Sequence, residues 1–139
     1  MILPNRIFFT GVPGSRWSGI AQALESMNGF NTSDRTPARD YSHHEFTGHK
    51  GAYFGRGMEF DHGLEKHNID AAHLTHTGTR LIKSHDWAYV LDQIEQYYPE
   101  DWTMLVYRPD MVSYAWWHEA GGFKIKYPCY DDYRDSTNM

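Results

Sequence analysis

The stretch Arg6-Ile7-Phe8-Phe9-Thr10-Gly11-Val12-Pro13-Gly14-Ser15-Arg16-Trp17-Ser18-Gly19-Ile20 decides the fold. Its first five residues form a short apolar, aromatic run, the profile of a buried β-strand. Gly11, Pro13 and Gly14 break that run into a loop. Beyond Ser15, the residues Trp17, Ile20, Ala21, Leu24 and Met27 recur at helical spacing, and Asn28-Gly29 supplies a stop. The expected order is strand, glycine loop, helix.

Further along, Thr79–Ser84 predicts a second short buried strand and Thr103–Arg108 a third. Between them Trp87–Tyr98 fits a helix, with Tyr89, Val90, Ile94 and Tyr97 on one face and Pro99 just beyond. Asp110–Ala120 fits another, with Asp110 near its N-cap and Gly121-Gly122 ending it. Strands alternating with helices predict an α/β domain with a central parallel β-sheet flanked by helices. Residues 31–57 are polar, without a sustained period, and too long for an ordinary connection. They are expected either to order over a site or to be mobile. Met58–Leu74 carries a weak helical pattern, and the last residues are expected to be disordered.

Length and composition bound the function. At 139 residues the chain fits one domain, 1–139. Hydrophobic residues at 40% and charged residues at 22% exclude wholesale disorder. A net charge of −5 leaves no basic excess for phosphate neutralisation, so no nucleic-acid partner is expected. Cys129 is the single cysteine and closes no intramolecular disulfide, which suits a reducing, cytoplasmic setting. The apolar run at Ile7–Phe9 stops far short of the ~20 residues of a membrane span. No secretory signal is visible and no membrane partner is expected.

In open parallel sheets ligands bind at the C-terminal ends of the strands. Three such ends carry chemistry suited to an anion. Gly11–Ser18 is a glycine loop entering a helix N-terminus, where backbone N–H groups and the helix dipole attract phosphate or sulfate. Lys83-Ser84-His85 offers a cation and an imidazole. Arg108, followed by a helix start at Asp110–Ser113, offers a guanidinium fork and a hydroxyl.

The first loop lacks the lysine of the ATP-binding GxxxxGK[ST] pattern. It resembles instead the first loop of the sulfotransferases that use 3′-phosphoadenosine 5′-phosphosulfate (PAPS), which commonly reads Gly-Val-Pro-(Lys/Arg)-Ser-Gly-Thr-(Thr/Ser). Gly11, Val12, Pro13, Ser15 and Ser18 fall on that frame. Arg80-Leu81-Ile82-Lys83-Ser84-His85 is similar to the strand that ends Leu-Lys-Thr-His in cytosolic members, whose histidine is the catalytic base. Val106-Tyr107-Arg108-Pro109-Asp110-Met111-Val112-Ser113-Tyr114 is similar to the segment whose arginine and serine hold the 3′-phosphate. The matched blocks stand in the family's order.

The resemblance implies a P-loop-like three-layer α/β domain that transfers a sulfuryl group from PAPS to a hydroxyl or amine acceptor, with no metal required. His85 would be the general base, with Lys83 and Arg16 stabilising the leaving phosphate. Gly11, Val12, Pro13, Gly14, Ser15, Arg16, Trp17, Ser18, Arg108 and Ser113 would bind the nucleotide, and residues 31–60 would be a loop-rich insertion on the acceptor side. The acceptor would be a small molecule or a saccharide, the acidic surface favouring a small alcohol, phenol or amine over a highly anionic polysaccharide.

Three departures from the family pattern stand out. Gly14 occupies the position of the family's Lys or Arg, while Arg16 stands where a glycine is usual. Arg108 and Ser113 are closer together than in the family, leaving Trp116 as a rival occupant of the serine position. The chain is also shorter than typical members, so parts of the acceptor pocket are missing or come from another subunit of a homo-oligomer.

Two further readings stand beside this one. Without the loop cation the fold would serve as a non-catalytic nucleotide- or anion-binding module. Alternatively Asp70, His73 and His76 on a helix, with His62 and His67 upstream, would form a metal site of a hydrolase. Trp116-Trp117, at helical spacing with Met111 and Val112, are expected in a core or an interface.

Overall fold

The computed structural model describes residues 3–12, 14–42, 53–55, 57–60, 64, 69–70 and 77–119. Three parallel strands form the sheet: β1 (Arg6–Gly11), β2 (Arg80–Lys83) and β3 (Trp102–Val106), in the order β2-β1-β3. Arg6 pairs with Arg80 and Phe9 with Lys83 on one side of β1, and Ile7 pairs with Trp102 and Gly11 with Val106 on the other. Because all three strands run the same way, Gly11, Lys83 and Val106 end on one edge of the sheet.

β1 is buried along its whole length, and its alternation feeds two cores. Phe8 packs with Ile69, Ile82, Trp87, Ile94 and Tyr98, its ring centroid 5.2 Å from that of Trp87 and 4.9 Å from that of Tyr98. Ile7 and Phe9 pack on the opposite face with Leu81 and with Trp17 and Ala21 of α1 (Trp17–Glu25). The face built on Phe8 is covered by a 3₁₀ segment (His85–Tyr89), α2 (Leu91–Tyr97) and Ile69. A central parallel sheet with helices on both faces is the α/β arrangement that the alternation predicts.

The expected single helix over Trp87–Tyr98 is divided. The Ser84 hydroxyl accepts the Asp86 N–H at 3.2 Å and caps the 3₁₀ turn, which drives Trp87 into the core. Val90 then leaves helical geometry at φ −130° before α2 begins. Phe8 demands the Trp87 contact, and tertiary packing overrides the helical period there. The third helix, α3 (Asp110–Glu119), follows β3 as expected.

Opposite the site, Arg6 donates from Nε and Nη2 to Asp101 Oδ2 at 2.9 and 2.6 Å and from Nη1 to Asp70 Oδ1 at 3.0 Å. Asp70, expected as a metal ligand in the histidine reading, is therefore an ion-pair partner; His62, His67, His73 and His76 lie outside the described residues. So do Pro13, Cys129 and residues 43–52 of the polar segment. Of the weak helical pattern at 58–74, Ile69 and Asp70 are helical. Among the described residues no helix is long and apolar enough to cross a membrane.

Candidate functional site

The loop from Gly11 to Arg16 turns tightly between β1 and α1. The Ser15 N–H donates to the Val12 carbonyl at 3.0 Å, and Gly14 takes a left-handed φ of 84°. A Cβ at Gly11 would stand 2.5 Å from Trp17 Cβ and 2.9 Å from Ser15 Oγ, so only glycine fits where the strand meets the helix. Arg16 caps α1 at φ 68°, ψ 25°, a left-handed conformation that costs an ordinary residue about 1–2 kcal/mol. This explains the pattern at the sequence level. The position where the resembled loops carry glycine is one whose backbone asks for glycine, and here an arginine occupies it.

β3 delivers Arg108 to the same loop. Its guanidinium donates from both Nε, at 2.9 Å, and Nη2 to the Gly14 carbonyl, joining the start of α3 to the loop. Trp116, on α3, lies under two cations: the Arg16 guanidinium carbon is 5.7 Å and that of Arg108 5.3 Å from its ring centroid. Met111, Val112 and Trp116 are exposed rather than core. The side chain of Trp117 lies outside the described residues.

Two hydroxyls make this more than a turn. Ser15, at 4% exposure, and Ser113, at 0%, each bury Oγ with no hydrogen-bond partner among the described residues. Ser113 stands in the first turn of α3, its N–H on the Pro109 carbonyl at 3.1 Å. A buried hydroxyl without a partner costs about 1–3 kcal/mol. Both sit on the two elements that Arg108 ties together.

The end of β2 adds His85. The Thr10 hydroxyl donates to the Ser84 carbonyl at 2.6 Å, and the Ser84 N–H donates to the Phe9 carbonyl at 3.3 Å, which sets His85 beside the end of β1. His85 Nδ1 lies 2.7 Å from Glu59 Oε1, and its Nε2 lies 3.3 Å from Asp86 Oδ1.

Lys83 goes elsewhere. Expected beside a leaving phosphate, its ammonium is 4% exposed, 3.4 Å from Glu25 Oε1, and donates to the Leu81 carbonyl at 3.2 Å. Burial pushes it below its ordinary pKa, with the Glu25 carboxylate opposing. Glu25 also accepts from Arg35 and from the Tyr41 hydroxyl, and burial together with this carboxylate raises the Tyr41 phenol above its usual range. The cation foreseen at this strand end is thus held in a buried network under the 31–42 segment. An α-helical glutamate and a lysine 58 positions further on carry no local sequence signal that they meet.

The structure therefore joins the loop residues Gly11, Val12, Gly14, Ser15, Arg16 and Ser18 to Arg108 and the start of α3, which carries Ser113, and sets His85 at the same end of the sheet; the side chain of Trp17, expected at the nucleotide, packs instead in the core against Phe9 and Phe54. Glu59 joins them unforeseen, and Trp116, weighed in the sequence as a rival for the position of Ser113, lies beside Arg16 and Arg108. No family model, curated protein or solved structure matches this chain.

Proposed function

We propose that the chain binds PAPS at this sheet edge, on a P-loop-like scaffold, and transfers its sulfuryl group to a hydroxyl or amine acceptor. The observation that carries this reading is the pair of buried, unpartnered hydroxyls, Ser15 and Ser113, on the two elements clasped by Arg108. Hydroxyls held dry at a cost suit a ligand rich in acceptor oxygens, and the guanidinium groups of Arg16 and Arg108, gathered over Trp116 on the same elements, suit an anionic one. In this reading Ser15 and the first-turn N–H groups of α1 serve the 5′-phosphosulfate, while Arg108 and Ser113 serve the 3′-phosphate, as the resemblance implies.

When bound, the phosphosulfate supplies an activated sulfuryl group whose S–O bond to the 5′-phosphate breaks with the electron pair left on that phosphate. Arg16 and the loop N–H groups stabilise the growing charge. His85 takes the proton of the acceptor O–H or N–H as the new bond to sulfur forms. Lys83, committed to Glu25, contributes to the fold instead.

Calorimetric titration with adenosine 3′,5′-bisphosphate, with ATP as control, tests the site. Selective binding is expected, and a folded protein that binds neither would overturn the reading. Ser113→Ala and Ser15→Ala are expected to leave urea stability unchanged or higher, because each removes an unsatisfied group. Each should nevertheless weaken bisphosphate binding by about tenfold, equivalent to one lost hydrogen bond. His85→Ala should spare bisphosphate binding and abolish transfer from PAPS to a phenol such as 2-naphthol.

A further inference from the structure

Resting on that reading of His85 as the base, we infer that Glu59 is its positioning residue, fixing the proton of the ring on Nδ1 so that Nε2 faces the acceptor with its lone pair. Three observations carry this. Glu59 Oε1 lies 2.7 Å from His85 Nδ1, within hydrogen-bond distance. The same oxygen accepts the His85 backbone N–H at 3.4 Å, so one carboxylate holds both the ring and its peptide. Glu59 is itself held by backbone: it bridges to Lys83, and the Phe60 N–H donates to the Lys83 carbonyl at 2.5 Å. The carboxylate is thus delivered to the end of β2 by a contact independent of its own side chain.

Asp86 also faces the ring. Its Oδ1 is 3.3 Å from Nε2, but its side chain is 72% exposed and carried by the same 3₁₀ segment as His85. For Nε2 to take the acceptor proton the exposed Asp86 carboxylate must give up its place there, whereas Glu59 stays on Nδ1, its backbone tied to the end of β2. A carboxylate on Nδ1 selects the Nδ1–H tautomer of the neutral ring. It also stabilises the imidazolium that forms when Nε2 takes the acceptor proton, without taking that proton itself. Glu59 acts through His85 and touches no reacting atom.

The test is nitrogen-15 NMR of the histidine ring in the full chain at a pH where His85 is neutral, for wild type and Glu59→Gln, with His85→Ala assigning the signal. Wild type is expected to carry the proton on Nδ1. In Glu59→Gln, which removes the anion favouring Nδ1–H, the share of the Nε2–H form should rise. In parallel, kcat for transfer from PAPS to 2-naphthol should fall by about 100-fold, the scale of losing a properly set general base, with the affinity for adenosine 3′,5′-bisphosphate unchanged. Because the bridge to Lys83 is made by backbone, Glu59→Gln should fold, and unchanged bisphosphate binding verifies that it does. An unaltered tautomer with unaltered kcat would overturn the role of Glu59 while leaving the transferase reading intact. A shifted tautomer balance in a protein whose wild type transfers nothing would support Glu59 as the residue that sets His85 and overturn the transferase reading.

Discussion

At the scale of single residues, the loop owes its character to an exchange: glycine at position 14 and arginine at 16, both with positive φ. Glycine takes that conformation freely, whereas Arg16 holds it at a cost while its guanidinium lies over Trp116 beside that of Arg108. Strain kept at a ligand site is explained when the side chain contributes to the ligand. Arg16→Gly and Arg16→Ala separate the two effects. Both remove the guanidinium and should weaken bisphosphate binding to a similar degree. Arg16→Ala keeps a Cβ in left-handed backbone, so Arg16→Gly should be the more stable by about 1 kcal/mol in urea unfolding. Equal stabilities would show that position 16 is not left-handed in solution. The sequence displays the exchange itself, since Gly14 and Arg16 are plain to read. It does not display the Ser15 and Ser113 hydroxyls as unpartnered, because that depends on what distant parts of the chain place around them.

At the scale of elements, the three strands and the helices after them are legible because each is a short apolar run or period bounded by Gly or Pro. The 3₁₀ turn at His85–Tyr89 is not legible, since a buried Trp87 satisfies a helical period equally well. Least legible is the 31–42 segment, polar in sequence yet pinned by ions. The Asn31 N–H donates to the Thr79 carbonyl at 2.8 Å, and Arg80 Nη2 donates to Asn31 Oδ1 at 2.7 Å. Asp34 lies 3.0 Å from Arg39 Nη2, 3.6 Å from Arg35 Nη1 and 3.9 Å from Arg80 Nη1. Burial alone would raise the Asp34 carboxyl, but Arg80, Arg39 and Arg35 outweigh it and hold it below its ordinary value of 3.8. A depressed folded-state pKa adds stability that is present above 3.8 and lost as pH falls through the lower folded value. Stability measured by urea unfolding should therefore decline in that acid window, and Asp34→Asn should flatten the decline. An identical acid profile in the variant would remove Asp34 from the pinning of this segment.

At the scale of the whole molecule, β1 is the shared wall of two cores, so the face built on Phe8 and the face built on Ile7 and Phe9 stand or fall together. Phe8→Ala, which empties a site enclosed by Trp87, Tyr98 and Ile82, is expected to cost about 3–5 kcal/mol. Near-ultraviolet circular dichroism and intrinsic fluorescence of the variant should then melt as one transition at lower temperature. Separate transitions for Trp17 and Trp87, resolved by single-tryptophan variants, would contradict a common core. The clasp between Arg108 and the Gly14 carbonyl spans 94 residues, and the Thr10 bond to Ser84 spans 74. At about 5–20 residues per second of synthesis, β1 waits roughly 5–20 s for the strand that completes its loop. Phe8 and Phe9 have no strand to pair with until β2 is made, and no complete sheet until β3 follows. On the proposed reading, anion capture would then be an end-point event of translation: a nascent chain able to hold the nucleotide would already have closed its sheet, and the ligand would certify a finished fold.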